Sequence, residues 1–401
     1  MSVLKAPTTN NFSLFQQLLK WILLCILIGL SSGSAAALFL YTLDLVTDYR
    51  ESHLWIIIFL PLAGFCVGWM YHQYGKEAET GNKLLLKTIQ DPQQKTIPWV
   101  MAPFVYVGTL LTHVFGGSAG REGTALQMSG AIADQFSKPF RLSEQERRTL
   151  LIASIAAGFG AVFGTPLAGF IFALEINRRS KLSYYAILPT FVSAILADLV
   201  TRAWGIPHTL YVVDIIPSIS WLNIGYAALA GIAFGFCAFV FTRLMHVTSQ
   251  QYKNLIPYSP LRSLIGGVIV VLLFWWISNS KYMGLGIPMI VQSFSEQMEL
   301  YDFALKMLLT ILTLSAGFKG GEVTPLFFIG ALLGNALSIW IPLPLSLLTG
   351  LGFVAVFAGA TNAPLACMIM AMELFGKEIL PYAFIVCFFA HVCSGKNSIY
   401  D

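Results

Sequence analysis

Charge is what this chain has least of. Of its 401 residues only 11% are charged and 56% are hydrophobic. A soluble globular domain carries about 25% charged residues, so a soluble fold is excluded and an integral membrane protein is expected. The 13% aromatic content suits membrane interfaces. Basic residues are scattered through loops and the net charge is only +4, which speaks for orientation signals and against nucleic-acid binding. Cysteine is also sparse. Cys25, Cys66, Cys237, Cys367, Cys387 and Cys393 sit in apolar surroundings without a CxxC pair. They read as small buried hydrophobes, not as disulfides or metal ligands. The histidines, His53, His72, His113, His208, His246 and His391, lack metal-ligand spacing and read as interfacial or loop residues. A Walker-type phosphate loop and a nucleophile–base–orienter set are both missing. Nothing therefore points to an enzyme, a metal site or a bound cofactor.

What is present is a repeated motif. Gly120-Arg121-Glu122-Gly123-Thr124 recurs two hundred residues later as Gly320-Gly321-Glu322-Val323-Thr324. Leu126 and Gly130 continue the match to Leu326 and Gly330 without a gap. Pro166-Leu167-Ala168 with Glu175 is echoed by Pro364-Leu365-Ala366 with Glu373, two glutamates that end apolar runs and read as interfacial or structural. In each half long apolar segments come first (21–47 and 54–74; 222–245 and 263–279). Short ones follow, punctuated by Gly and Pro. A spanning helix needs about 20 apolar residues. Pieces of half that length suggest broken or re-entrant helices, tolerated at membrane depth only inside protein or beside a water-filled cavity. Interrupted segments at matching positions in two halves point to a transporter's midplane site.

The expected division is a cytoplasmic segment 1–20, a first membrane repeat 21–205, a connecting loop 206–221 and a second membrane repeat 222–401. No soluble regulatory domain is expected after Asp401. Trp21 opens an apolar run too long for a signal-peptide core. The loops bearing Lys138, Arg141, Arg147, Arg148 and Arg178, Arg179, Lys181 should face the cytoplasm.

A Gly-rich loop opening a helix presents free backbone N–H groups, and the helix dipole adds positive charge there. Glu122 can fill such an anion site with its own carboxylate, then swing away when protonated. Alternatively it is a first-turn cap. Glu322 has the same two readings, with a hydrogen bond to the Thr324 hydroxyl as one way to hold it. Asn82, after Gly81, can cap a helix or donate to an anion. Tyr400, from position alone, is a headgroup-belt tyrosine.

The motifs resemble those of CLC chloride channels and transporters. Gly120–Thr124 is similar to the family's Gly-Arg-Glu-Gly-Pro signature, and Gly321–Pro325 to its Gly-x-Phe-x-Pro signature. Pro166–Glu175 and Lys396–Tyr400 resemble two further segments. The resemblance covers the chain from about Gly75 to Tyr400. It implies an all-α integral membrane protein of two inverted-topology repeats, built from tilted, broken and re-entrant helices. It further implies a homodimer with one pore per subunit, Glu122 as gate and Tyr400 as anion ligand. Departures from the pattern are specific. Thr80-Gly81-Asn82 replaces the serine motif, Ile176 stands where exchangers carry an internal glutamate, and Glu322 and Thr324 are additions. These resemble the fluoride-exporting branch. The expectation is a fluoride/proton antiporter of a bacterial inner membrane, with fluoride, protons and the lipid bilayer as partners. A chloride/proton exchanger or a passive anion channel is the alternative. Glu122 and Glu322 would transfer protons; Gly81, Asn82, Arg121, Gly123, Val323, Thr324 and Tyr400 would bind the anion.

Overall fold

A computed structural model describes residues 14–177 and 184–400. The basic triplet Arg178, Arg179 and Lys181 lies outside the described residues, as do residues 1–13 and Asp401. The described residues form sixteen α-helices joined by turns and 3₁₀ segments, in an order that runs twice. α1 (Leu14–Ser52) answers to α9 (Trp221–Leu255), α2 (Leu60–Tyr74) to α10 (Ser259–Ile277), and α3 (Asn82–Gln90) to α11 (Ile287–Gln292). α4 (Met101–Val114) answers to α12 (Asp302–Ser315), and α5 (Glu122–Asp134) to α13 (Val323–Leu337). α6 (Glu144–Phe163) answers to α14 (Leu345–Thr361), α7 (Pro166–Glu175) to α15 (Pro364–Phe375), and α8 (Ile187–Ala203) to α16 (Leu380–Cys393).

Length sets how each element meets the bilayer. α1 and α9 have 39 and 35 residues. At 1.5 Å per residue they reach about 50–60 Å, well beyond a hydrocarbon core of about 30 Å, so they tilt or project. Gln16–Ser52, Leu54–Tyr74, Tyr184–Ala203, Trp221–Leu255 and Ser259–Ile277 are long and apolar enough to cross. α4 and α5, with 14 and 13 residues, are not, and they meet at a turn whose residues 116–120 are all buried. α12 and α13, with 14 and 15, repeat the break. Irregular backbone thus sits inside protein, as a bilayer requires.

Small residues bring the inner helices close. A Cβ on Gly330 of α13 would lie 2.1 Å from the Gly352 carbonyl oxygen of α14, so only glycine permits that crossing. Around it packs a core of phenylalanines, leucines and alanines, including Phe327, Phe353 and Phe357. Glu175 and Glu373 turn out to be structural, and reciprocal. The Glu175 carboxylate accepts from the Leu365 and Ala366 amides at the start of α15, at 3.2 and 2.9 Å. The Glu373 carboxylate accepts from Leu167 and Ala168 at the start of α7, at 3.0 and 2.7 Å. Each repeat caps the other's helix.

The ends of the molecule are defined by polar contacts. Lys20 near the start of α1 pairs with Glu146 at 2.6 Å, and Arg148 donates to the Ile89 carbonyl at 2.9 Å. The beginning of α1, the end of α3 and the basic 138–148 loop therefore share one face. There Arg147 grips buried Asp134 through Nε and Nη2, at 2.8 and 2.7 Å, and holds the carbonyls of Pro92, Gln94 and Lys95.

Candidate functional site

The two motif loops touch. Gly120 N–H donates to the Gly321 carbonyl at 2.6 Å, and Gly321 N–H returns the bond at 2.7 Å. This isolated antiparallel bridge joins the repeats where α5 and α13 begin. Glycine is required on both sides. A Cβ on Gly120 would sit 2.8 Å from the Gly321 oxygen, and one on Gly321 would sit 2.7 Å from the Gly123 nitrogen.

From this crossing the Glu122 side chain reaches into the other repeat. It is 1% exposed. Its carboxylate accepts from the Thr324 amide at 3.0 Å and from the Thr324 hydroxyl. The Arg121 amide donates at 3.1 Å, and the Arg121 guanidinium stands 3.6 Å away. The Glu122 carboxyl group thus occupies the N-terminus of α13. A helix N-terminus offers unpaired N–H groups and partial positive charge, so a carboxylate there is stabilised.

This corrects one expectation. The Thr324 hydroxyl does not hold Glu322; it serves Glu122. Glu322 is the residue immediately before α13. Its Oε2 lies 3.8 Å from the point where a Cβ on Gly123 would be, and the Asn82 Nδ2 lies 3.1 Å from the same point. The first repeat uses its threonine differently, since the Thr124 hydroxyl shares a hydrogen with the Thr109 hydroxyl at 2.6 Å.

Asn82 does not cap α3 either. Gly81, at φ +54°, holds the capping position, and Asn82 is the first helical residue. Its Oδ1 is buried without a hydrogen-bond partner, and so is the Tyr400 hydroxyl. Tyr400 is no interfacial residue: its ring meets Phe172 edge-on at 6.3 Å, and its hydroxyl lies within electrostatic reach of both Glu122 and Glu322. Val323 is fully buried in the phenylalanine-rich core. The sequence expectation for His113 was also wrong. It is fully buried, with Nδ1 2.8 Å from the Thr109 carbonyl and Nε2 3.1 Å from the Ala119 carbonyl, bracing the turn before Gly120.

Two cavities flank the crossing. One, of about 870 Å³, is lined by the end of α1, by residues 280–302 and by Arg121. The other, of about 800 Å³, is lined by Lys83, Lys87, Lys396 and Tyr400. The second opens on the face of the basic 138–148 loop, because Gln90 on its rim neighbours Arg148.

Sequence reading missed Tyr211. The connector 206–221 shows no helical or strand period, yet Tyr211 packs on Phe353 at 5.1 Å and on Phe294 at 5.6 Å. Its hydroxyl feels both Arg121 and Glu122. A chain of ring contacts links it to Tyr400: Phe353 stacks on Phe327 at 4.0 Å, Phe327 meets Phe357 at 5.1 Å, and Phe357 stacks on Phe172 at 5.7 Å.

The profile of the voltage gated chloride channel family matches residues 63–395. The chain belongs to this family. It is 48% identical to the "Chloride/fluoride channel protein" of Pseudomonas syringae pv. tomato, over 100% of this chain and 89% of the relative. It is 25% identical to the "H(+)/Cl(-) exchange transporter ClcA" of Vibrio cholerae, over 88% of this chain and 81% of the relative. A crystal structure of a CLC-type fluoride/proton antiporter superposes with a TM-score of 0.93 and 36% identity, covering 97% of this chain and 98% of the other. The CLC fold, with its two inverted repeats of broken helices in a multi-pass membrane protein, is therefore the fold of this chain.

Proposed function

We propose that the chain is a fluoride/proton antiporter that exports fluoride from the cytoplasm on the inward proton gradient. The observation that carries this reading is the Glu122 carboxylate seated on the α13 N-terminus, held by the Thr324 amide and hydroxyl. A site that satisfies a carboxylate with an amide and a hydroxyl also suits a small, strongly hydrated anion, which needs several good donors. Protonation of Glu122 removes the charge that the helix end attracts, and the acid swings away. Fluoride then takes the donors it leaves, together with the Tyr400 hydroxyl, the Asn82 amide and the backbone N–H groups near Gly81, Arg121–Gly123 and Val323. Glu122 carries the proton in exchange. Glu322, beside Gly123 and Asn82, is the second titrating group and stands in for the internal carboxylate replaced by Ile176. A buried hydroxyl left without a partner costs about 1–3 kcal/mol, so the orphaned Tyr400 hydroxyl supports an anion beside it.

The similarity to a fluoride/proton antiporter over nearly the full chain supports fluoride as the anion. We place the protein in a bacterial inner membrane, with the 138–148 loop in the cytoplasm, as a homodimer carrying one pathway per subunit. Residues 206–221 join its two repeats. Purified protein in liposomes, followed with fluoride, chloride and pH electrodes, tests the reading. Uphill fluoride movement on a pH gradient with little chloride flux is expected. Coupled chloride flux of equal size would make it a chloride/proton exchanger, and anion flux without proton movement a channel. Asn82→Ser should raise the chloride share of the flux, since a hydroxyl replaces an amide in the cavity.

A further inference from the structure

The two cavities carry opposite charge. Asp44, Asp48, Glu51, Glu296, Glu299 and Asp302 line the outer one, against Arg50, Arg121 and Lys281. The inner one is lined by Lys83, Lys87 and Lys396. The carboxylate that lines it, Glu175, is committed to the amides at the start of α15. Lys83 and Lys87 stand one helical turn apart on α3, and both are exposed, as is Lys396. Like charges at this spacing weaken a helix by about 0.2–0.5 kcal/mol. For a helix of 9 residues they gain nothing locally. Their value lies in the cavity they face, whose floor is Tyr400.

We propose that Lys87 and Lys396 form a capture station for small inorganic anions arriving from the cytoplasm, feeding the Tyr400 floor of the cavity. This rests on the reading that the pathway carries fluoride outward. Low-dielectric walls focus the field of a charged cleft and raise the local concentration of the attracted ion. The Debye length is about 8 Å at physiological salt, so cations at the rim are felt across the cavity and not far beyond it. The outer cavity does the reverse. Its carboxylate excess repels an anion that has left and concentrates protons next to Arg121 and Glu122. The asymmetry leaves the equilibrium coupling untouched. It sets which side has the lower half-saturating anion concentration, as export against a low internal level requires.

Inside-out membrane vesicles carrying the full chain present the cytoplasmic face to the bath. Uptake of sodium fluoride, driven by an acid lumen and read with a fluoride electrode, then reports the inner half-saturation directly. Lys87→Gln with Lys396→Gln should raise it about three- to tenfold at low ionic strength. The shift should fade as added salt shortens the Debye length. The effect falls on half-saturation, with maximal rate and protons per fluoride close to those of the parent. Arginine at both positions should restore the parent value. An unchanged half-saturation at low salt, or a shift indifferent to salt, overturns the capture station. The fluoride reading fails separately, if the parent takes up chloride and not fluoride. The station stands in that case if the double glutamine variant shifts chloride half-saturation in the same salt-dependent way. Absence of uptake of either anion removes both proposals.

Discussion

The loops that open α5 and α13 share a sequence and do different work. Each has glycines, a glutamate and a threonine in the same order, and each passes its backbone against the other through Gly120 and Gly321. Beyond that bridge the symmetry ends. Glu122 takes a hydrogen bond from Thr324 at the far helix end, while Glu322, which also lies against the other repeat beside Gly123 and Asn82, leaves Thr124 bonded to Thr109. Thr324 holds a carboxylate, while Thr124 holds another threonine. The glutamate that crosses and the helix end that receives it thus come from different repeats. The reciprocal caps of Glu175 and Glu373 show the opposite outcome, duplication kept symmetric because both copies do the same structural work.

Breaking the asymmetry at its donor should have the largest effect. Glu122→Gln keeps the shape but cannot release a proton, so uphill fluoride transport on a pH gradient should vanish while dichroism and gel filtration remain those of the parent. A Glu122→Gln variant that still pumps would move the proton carrier elsewhere. Glu322→Gln comes next. It should abolish coupled turnover while fluoride binding, followed by calorimetry, persists. Normal coupled transport would reduce Glu322 to a fixed neighbour and leave Glu122 alone in the cycle.

The threonine pair sharpens the comparison with a milder change. A hydrogen bond to a charged group contributes about 1.5–3 kcal/mol. Thr324→Val should therefore shift the balance between seated and released Glu122 by about ten- to a hundredfold, read as proton slippage in a paired fluoride and pH recording. Thr124→Val loses only a neutral bond to Thr109, about 1 kcal/mol of stability, and should transport as the parent does. Similar slippage in the two variants would dissolve the distinction between the loops. The smallest expected effects are Glu175→Gln and Glu373→Gln. Each keeps one good acceptor for two amides, so each should lose about 1–2 kcal/mol and lower the unfolding temperature in detergent by similar amounts. A marked inequality would show that the reciprocal caps are not equivalent.

Composition and spacing determined the broad result. A chain this poor in charge must sit in a bilayer, and apolar segments of half a membrane's length must be broken helices. The matching motifs placed a glutamate near a helix start in each half. All of these are local properties, encoded within a few turns of the chain. The partner of Glu122 was not legible, because Thr324 lies two hundred residues away and the contact depends on how the two loops cross. Periodicity carries no information about that crossing. Nor could it reveal that His113 braces the turn before Gly120, that Tyr211 leaves an irregular connector to enter the aromatic core, or that scattered loop charges gather into one acidic cavity and one basic one. Those follow from tertiary packing, which alone decides which distant residues meet; for a buried group such as His113 the membrane interior leaves no water to turn to, so backbone carbonyls serve it instead.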